Sequence, residues 1–85
     1  MDKFFIISKK TNGGFCYLNN LTFSKGVETF KKSISRKNKS SVILGLKDQS
    51  KRVILEYSEN NVKLLNRDLL NIEQVETIKR ELNII

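Results

Sequence analysis

Apolar positions along the chain come in short runs broken by polar clusters, and their spacing separates strands from helices. Residues 3 to 8, Lys-Phe-Phe-Ile-Ile-Ser, form a β-prone run that ends at Lys9-Lys10-Thr11-Asn12-Gly13-Gly14. Asn-Gly supplies the two positive φ angles of a type I′ hairpin, so Phe15-Cys16-Tyr17-Leu18 reads as the returning strand. Ser24 is placed to cap a helix running from about Lys25 to Ser35. Within it Val27, Phe30 and Ile34 fall within about 60° of one another at 100° per residue, a narrow core-facing stripe. Gly26 weakens the first turn of that helix.

Two β-branched runs follow, Ser41-Val-Ile-Leu-Gly-Leu46 and Arg52-Val-Ile-Leu-Glu-Tyr57, and predict an antiparallel hairpin. Asn60-Asn61 tolerates left-handed geometry and turns the chain into Val62-Lys63-Leu64-Leu65, the third strand of a meander. The last helix has the clearest start: Asn71 as N-cap, Gln74 completing a capping box, and Leu70 set to staple against Val75. It is expected to reach about Asn83, with Ile72, Val75, Ile78 and Leu82 as its apolar stripe and Glu76 with Arg80 as an i, i+4 pair. The expected class is α+β, a small antiparallel sheet with two helices in the order ββαβββα, with residues 1–85 as a single domain. In the paired runs Val42, Leu44 and Leu46 alternate with Ile43 and Gly45, and Val53, Leu55 and Tyr57 with Ile54, so both sheet faces are partly apolar. Either both helices share one face and leave the other to a partner or to a homodimer, or one helix packs on each side.

Composition narrows the function. The chain has 85 residues, 39% of them hydrophobic, more than a disordered chain carries. No apolar run approaches the roughly 20 residues that span a bilayer, and the N-terminus lacks the pattern of a signal peptide, so a cytoplasmic protein without a membrane partner is expected. With no histidine and a lone Cys16, four-ligand zinc sites and Ser-His-Asp or Cys-His catalysis are excluded. Asp48, Glu56, Glu59 and Asp68 have no metal-binding spacing. No catalytic residue, metal or cofactor is therefore expected. Cys16 reads as a small core residue, and Phe15, Tyr17 and Tyr57 read as core aromatics more readily than as a platform for bases.

Charge is distributed unevenly. Residues 24–52 hold nine Lys and Arg against Glu28 and Asp48, whereas residues 53–85 hold four against six carboxylates. On the first helix Lys25, Lys32 and Arg36 fall within about 40° of each other opposite the apolar stripe, and Lys37 and Lys39 continue into the loop. Lys47, Lys51 and Arg52 flank the next hairpin turn. If that turn folds back toward the helix, these eight side chains form one positive surface suited to a phosphate backbone or an acidic partner. Only four arginines are present, so any nucleic-acid contact is expected to follow shape rather than base sequence.

From Ser24 to Asn83 the element order α-β-β-β-α resembles the double-stranded RNA-binding domain in topology. That family carries a lysine-rich motif at the start of its last helix, where this chain has the acidic stretch Asn71-Ile-Glu-Gln-Val-Glu76, so no family residue is carried over. A small basic chain without histidine also looks loosely like the ribosome-dependent mRNA interferase toxins, although the Gly13-Gly14 hairpin stands where those have early helices. Two functions follow as expectations. One is a non-enzymatic protein that binds nucleic acid directly or within a protein complex. The other is a phage or mobile-element protein, of the anti-CRISPR type for example, that inhibits a larger host enzyme by protein–protein contact.

Overall fold

The computed structural model describes residues 3–36, 38–47 and 52–82. The elements are β1 (Phe4–Lys10), β2 (Phe15–Leu21), α1 (Phe23–Ser35), β3 (Lys39–Leu46), β4 (Arg52–Ser58), β5 (Asn61–Leu64), a 3-10 turn over Arg67–Leu69 and α2 (Ile72–Leu82). The order ββαβββα and the α+β class are those the sequence predicts. All strands pair antiparallel in one sheet with the order β2-β1-β3-β4-β5, so β1 lies between its hairpin partner and β3.

Both helices lie on the same face. Val27 and Phe30 of α1 and Ile78 of α2 share one buried cluster with Phe4, Ile6, Val42, Leu44, Ile54 and Leu55. Gly26 lies where α1 crosses the sheet. A Cβ there would sit 3.0 Å from Leu44 Cδ1, so the residue that weakens the helix locally lets it seat closely. Phe5, on the opposite face, lies over Gly45, where an added Cβ would fall 2.5 Å from its Cζ atom.

Local geometry departs from expectation at several points. The Thr11-Asn12-Gly13 loop is not type I′, because only Gly13 has positive φ, at 97°. Gly13 N–H donates to the Lys10 carbonyl at 2.9 Å and Lys10 N–H to the Gly14 carbonyl at 2.7 Å, closing a three-residue loop with a left-handed glycine. The two-residue turn with paired positive φ lies between β4 and β5 instead, at Glu59 (50°) and Asn60 (65°), one residue earlier than Asn60-Asn61. Thr22, not Ser24, caps α1, accepting from Lys25 N–H at 3.1 Å, so the helix begins two residues early.

A bulge in β4 overturns the expected alternation. Leu44 pairs with Leu55 and Gly45 with Val53, which leaves Ile54 as the extra residue. Ile54 and Leu55 are consequently both fully buried in the core, while Val53 is carried to the other face with Gly45.

The capping box of α2 forms in both directions: Gln74 N–H donates to Asn71 Oδ1 at 2.8 Å and Asn71 N–H to Gln74 Oε1 at 3.0 Å. Ile72 is not in the core but 80% exposed, since six residues at 100° each carry it about 120° away from Ile78. Arg80 pairs with Glu81, at 3.8 Å, rather than with Glu76. The expected end near Asn83 lies outside the described residues.

Two substitutions test this packing. Gly45→Ala is expected to lift Phe5 from the sheet and lower stability by about 2 kcal/mol in urea titration. Glu59→Asn, relieving a left-handed glutamate, is expected to raise stability by about 0.5–1 kcal/mol, seen as a higher melting temperature.

Candidate functional site

Six of the eight cations singled out from the sequence are described, namely Lys25, Lys32, Arg36, Lys39, Lys47 and Arg52; Lys37 and Lys51 lie outside the described residues. The helical period sets Lys25 and Lys32 on one side of α1, but Glu28 stands in the same line. Its carboxylate is 3.3 Å from Lys32 Nζ and 3.7 Å from Lys25 Nζ. The hydrogen bond from Lys32, followed by the fields of Lys25 and Lys32, holds the Glu28 carboxyl below the usual carboxylate range. Beside this ridge a groove of about 530 Å³ runs between α1 and α2, and its charges also balance, because Lys31 pairs with Glu81 at 3.3 Å.

The remaining cations divide between the two ends of the sheet. Lys47 N–H donates to the Lys3 carbonyl, and Arg52 pairs with Leu46 across β3 and β4. The first turn of α1 is at this same end, with Phe23 edge-on to Phe4 at 5.6 Å. Arg36 and Lys39 are at the other end, past the last turn of a 13-residue helix that spans about 20 Å. Strand direction therefore sets Lys47 and Arg52 at the opposite end from Arg36 and Lys39, and the described cations do not converge on one surface.

A different set lies at the Arg36 end. Pairing of β1 with β3 places Lys10 directly across from Lys39, with Lys9 opposite Ser41. Ser40 is the extra residue there, and its hydroxyl donates to the Lys9 carbonyl at 3.2 Å. Thr11 N–H donates to the Asn38 carbonyl at 3.0 Å, tying the β1–β2 loop to the chain between α1 and β3. None of Lys9, Lys10, Arg36 and Lys39 forms an ion pair among the described residues. Comparison with family models, curated proteins and solved structures finds no match to the chain.

Lys9 and Lys10 escape a sequence reading because they belong to the N-terminal hairpin by position and join Lys39 only through the long-range β1–β3 ladder. The aromatic expectation also changes. Phe15 and Tyr17 are 70% and 48% exposed on β2, and Cys16 between them is exposed rather than core. Tyr57 alone packs against the core, its hydroxyl donating to Asn60 Oδ1 at 3.1 Å.

The Glu28 bridge has a pH signature. Because its folded carboxyl titrates below the ordinary value, its stabilisation is present above that value and disappears as pH falls through the folded one. In a side-chain NMR titration, Lys32→Gln is expected to move the Glu28 midpoint upward, and Arg36→Gln to leave it in place.

Proposed function

We propose that the protein is a non-enzymatic, cytoplasmic binding protein that grips nucleic-acid phosphates, directly or within a complex, at the end of the sheet that carries Lys10 and Lys39, with Arg36 past the end of α1 and Lys9 on the other face. The observation that supports this reading is the Lys10–Lys39 pair. Like charges directly opposed on neighbouring strands destabilise a sheet. No carboxylate among the described residues pairs with either lysine, so the arrangement suits a bound anion better than the free protein. Lys25 and Lys32 contribute less, because a phosphate must compete with Glu28 for them. Arg36 is the only arginine of the set, and lysines bind phosphate as point charges without reading base edges, so recognition follows backbone geometry.

With about four phosphates neutralised, affinity for DNA or RNA oligonucleotides is expected to fall about 10²-fold between roughly 50 and 200 mM salt. The double substitution Lys10→Gln, Lys39→Gln should reduce the slope of log affinity against log salt by about 1.5. Lys25→Gln, Lys32→Gln should leave the slope close to that of the unchanged protein. Fluorescence anisotropy measures all three. Absence of binding to single- and double-stranded DNA and RNA at about 50 mM salt overturns the reading.

A further inference from the structure

Resting on the nucleic-acid reading above, we infer that the occupant is a single strand, laid across the sheet face that neither helix covers, with bases stacked on Phe15 and Tyr17. Of the four large apolar side chains that are most exposed among the described residues, three (Phe15, Tyr17 and Leu18) lie on β2. Phe15 and Tyr17 pair with Lys9 and Ile7, so both rings stand on the open face, where Tyr17 also meets the ring of Phe5 at 6.3 Å between centroids. Two residues along a strand set the rings about 6.8 Å apart, close to twice the 3.4 Å rise of stacked bases. Two bases of an unstacked strand can therefore take one ring each, whereas a duplex keeps its base faces inside.

Charge on this face selects the occupant. The Lys9 ammonium lies 5.8 Å from the centre of the Phe15 ring, beside the phosphate of any base stacked there. Lys10 alternates with Lys9 along β1, so it and its partner Lys39 stand on the helix side of the same end, leaving Lys9 as the cation beside the rings. The carboxylate on this face among the described residues, Glu56, belongs to β4, on the far side of β1 and β3 from the rings, and faces Lys63 across β4 and β5. An aromatic surface with a cationic rim matches an anion that carries flat apolar groups, while a second copy of the chain would bring the same cations.

The test uses the protein's own fluorescence. It has two tyrosines and no tryptophan, so Tyr57→Phe leaves Tyr17 as the only emitter. Titration of that variant with a single-stranded oligo(dT) or oligo(U) should quench Tyr17, and inorganic polyphosphate should occupy the cations without quenching. Phe15→Leu, Tyr17→Leu keeps an apolar strand and should weaken single-strand binding at least 10-fold while leaving the salt slope unchanged; circular dichroism checks that it folds. A hairpin duplex should bind more weakly than the single strand and ignore the leucine substitutions. Equal affinity for duplex and single strand, no Tyr17 quenching, or unchanged binding by the leucine variant overturns the stacked single strand. Salt-dependent binding that survives any of these results leaves the phosphate site standing, and loss of all binding removes both. A dimer of the free protein in sedimentation that the leucine substitutions dissociate also overturns the inference.

Discussion

The whole arrangement depends on burying one face of the sheet under two helices. Phe30, Leu44, Ile54, Leu55 and Ile78 all reach complete burial in a single cluster, and they come from four different elements. A domain of this size has little interior to spare, so most of its apolar side chains must meet at one place. Gly26 serves that need by giving up a side chain where α1 presses on Leu44, and the β4 bulge serves it by turning two consecutive residues inward. What remains on the second face is thin: Phe5 over Gly45, the half-buried Ile7, Ile43 and Val53, and the exposed rings of β2.

The same packing settles the electrostatics. Because α1 follows β2 and its first turn meets Phe4, its C-terminus must arrive where β1 ends and β3 begins. Basic residues remote in sequence share that end, where the backbone is held by the Thr11–Asn38 contact and by the Ser40 hydroxyl on the Lys9 carbonyl. Along α1, by contrast, Glu28 neutralises its neighbours locally. A basic stretch in sequence and a basic surface in space are thus different things in this protein.

What could be read in the sequence was what depends on near neighbours. The α2 capping box is complete within four residues, and the Val27, Phe30 and Ile34 stripe needs only the helical period. Glu28 was equally readable, three residues after Lys25 and four before Lys32, and its spacing alone announces the bridge. The Ile54 bulge was not readable, since a strand of β-branched residues carries no local mark of where an extra one is accommodated. Nor was the side on which each helix packs, which follows from chain direction through the sheet. The Lys9, Lys10 and Lys39 grouping depends on that long-range pairing, and the exposure of Phe15 depends on β2 being an edge.

The irregularity at the end of β2 also bears on what the outer edge of the sheet offers to another strand. Phe4 pairs with Leu21 and Ile6 with Leu18, so β2 carries an extra residue, and Asn20 adopts a left-handed φ of 57°. An outermost strand that kinks near its end offers a shorter straight template for a foreign strand to lengthen the sheet. The opposite border, β5, is only four residues long and bears Lys63. The crooked border therefore shows its rings on a face while its backbone is turned out of line for strand addition.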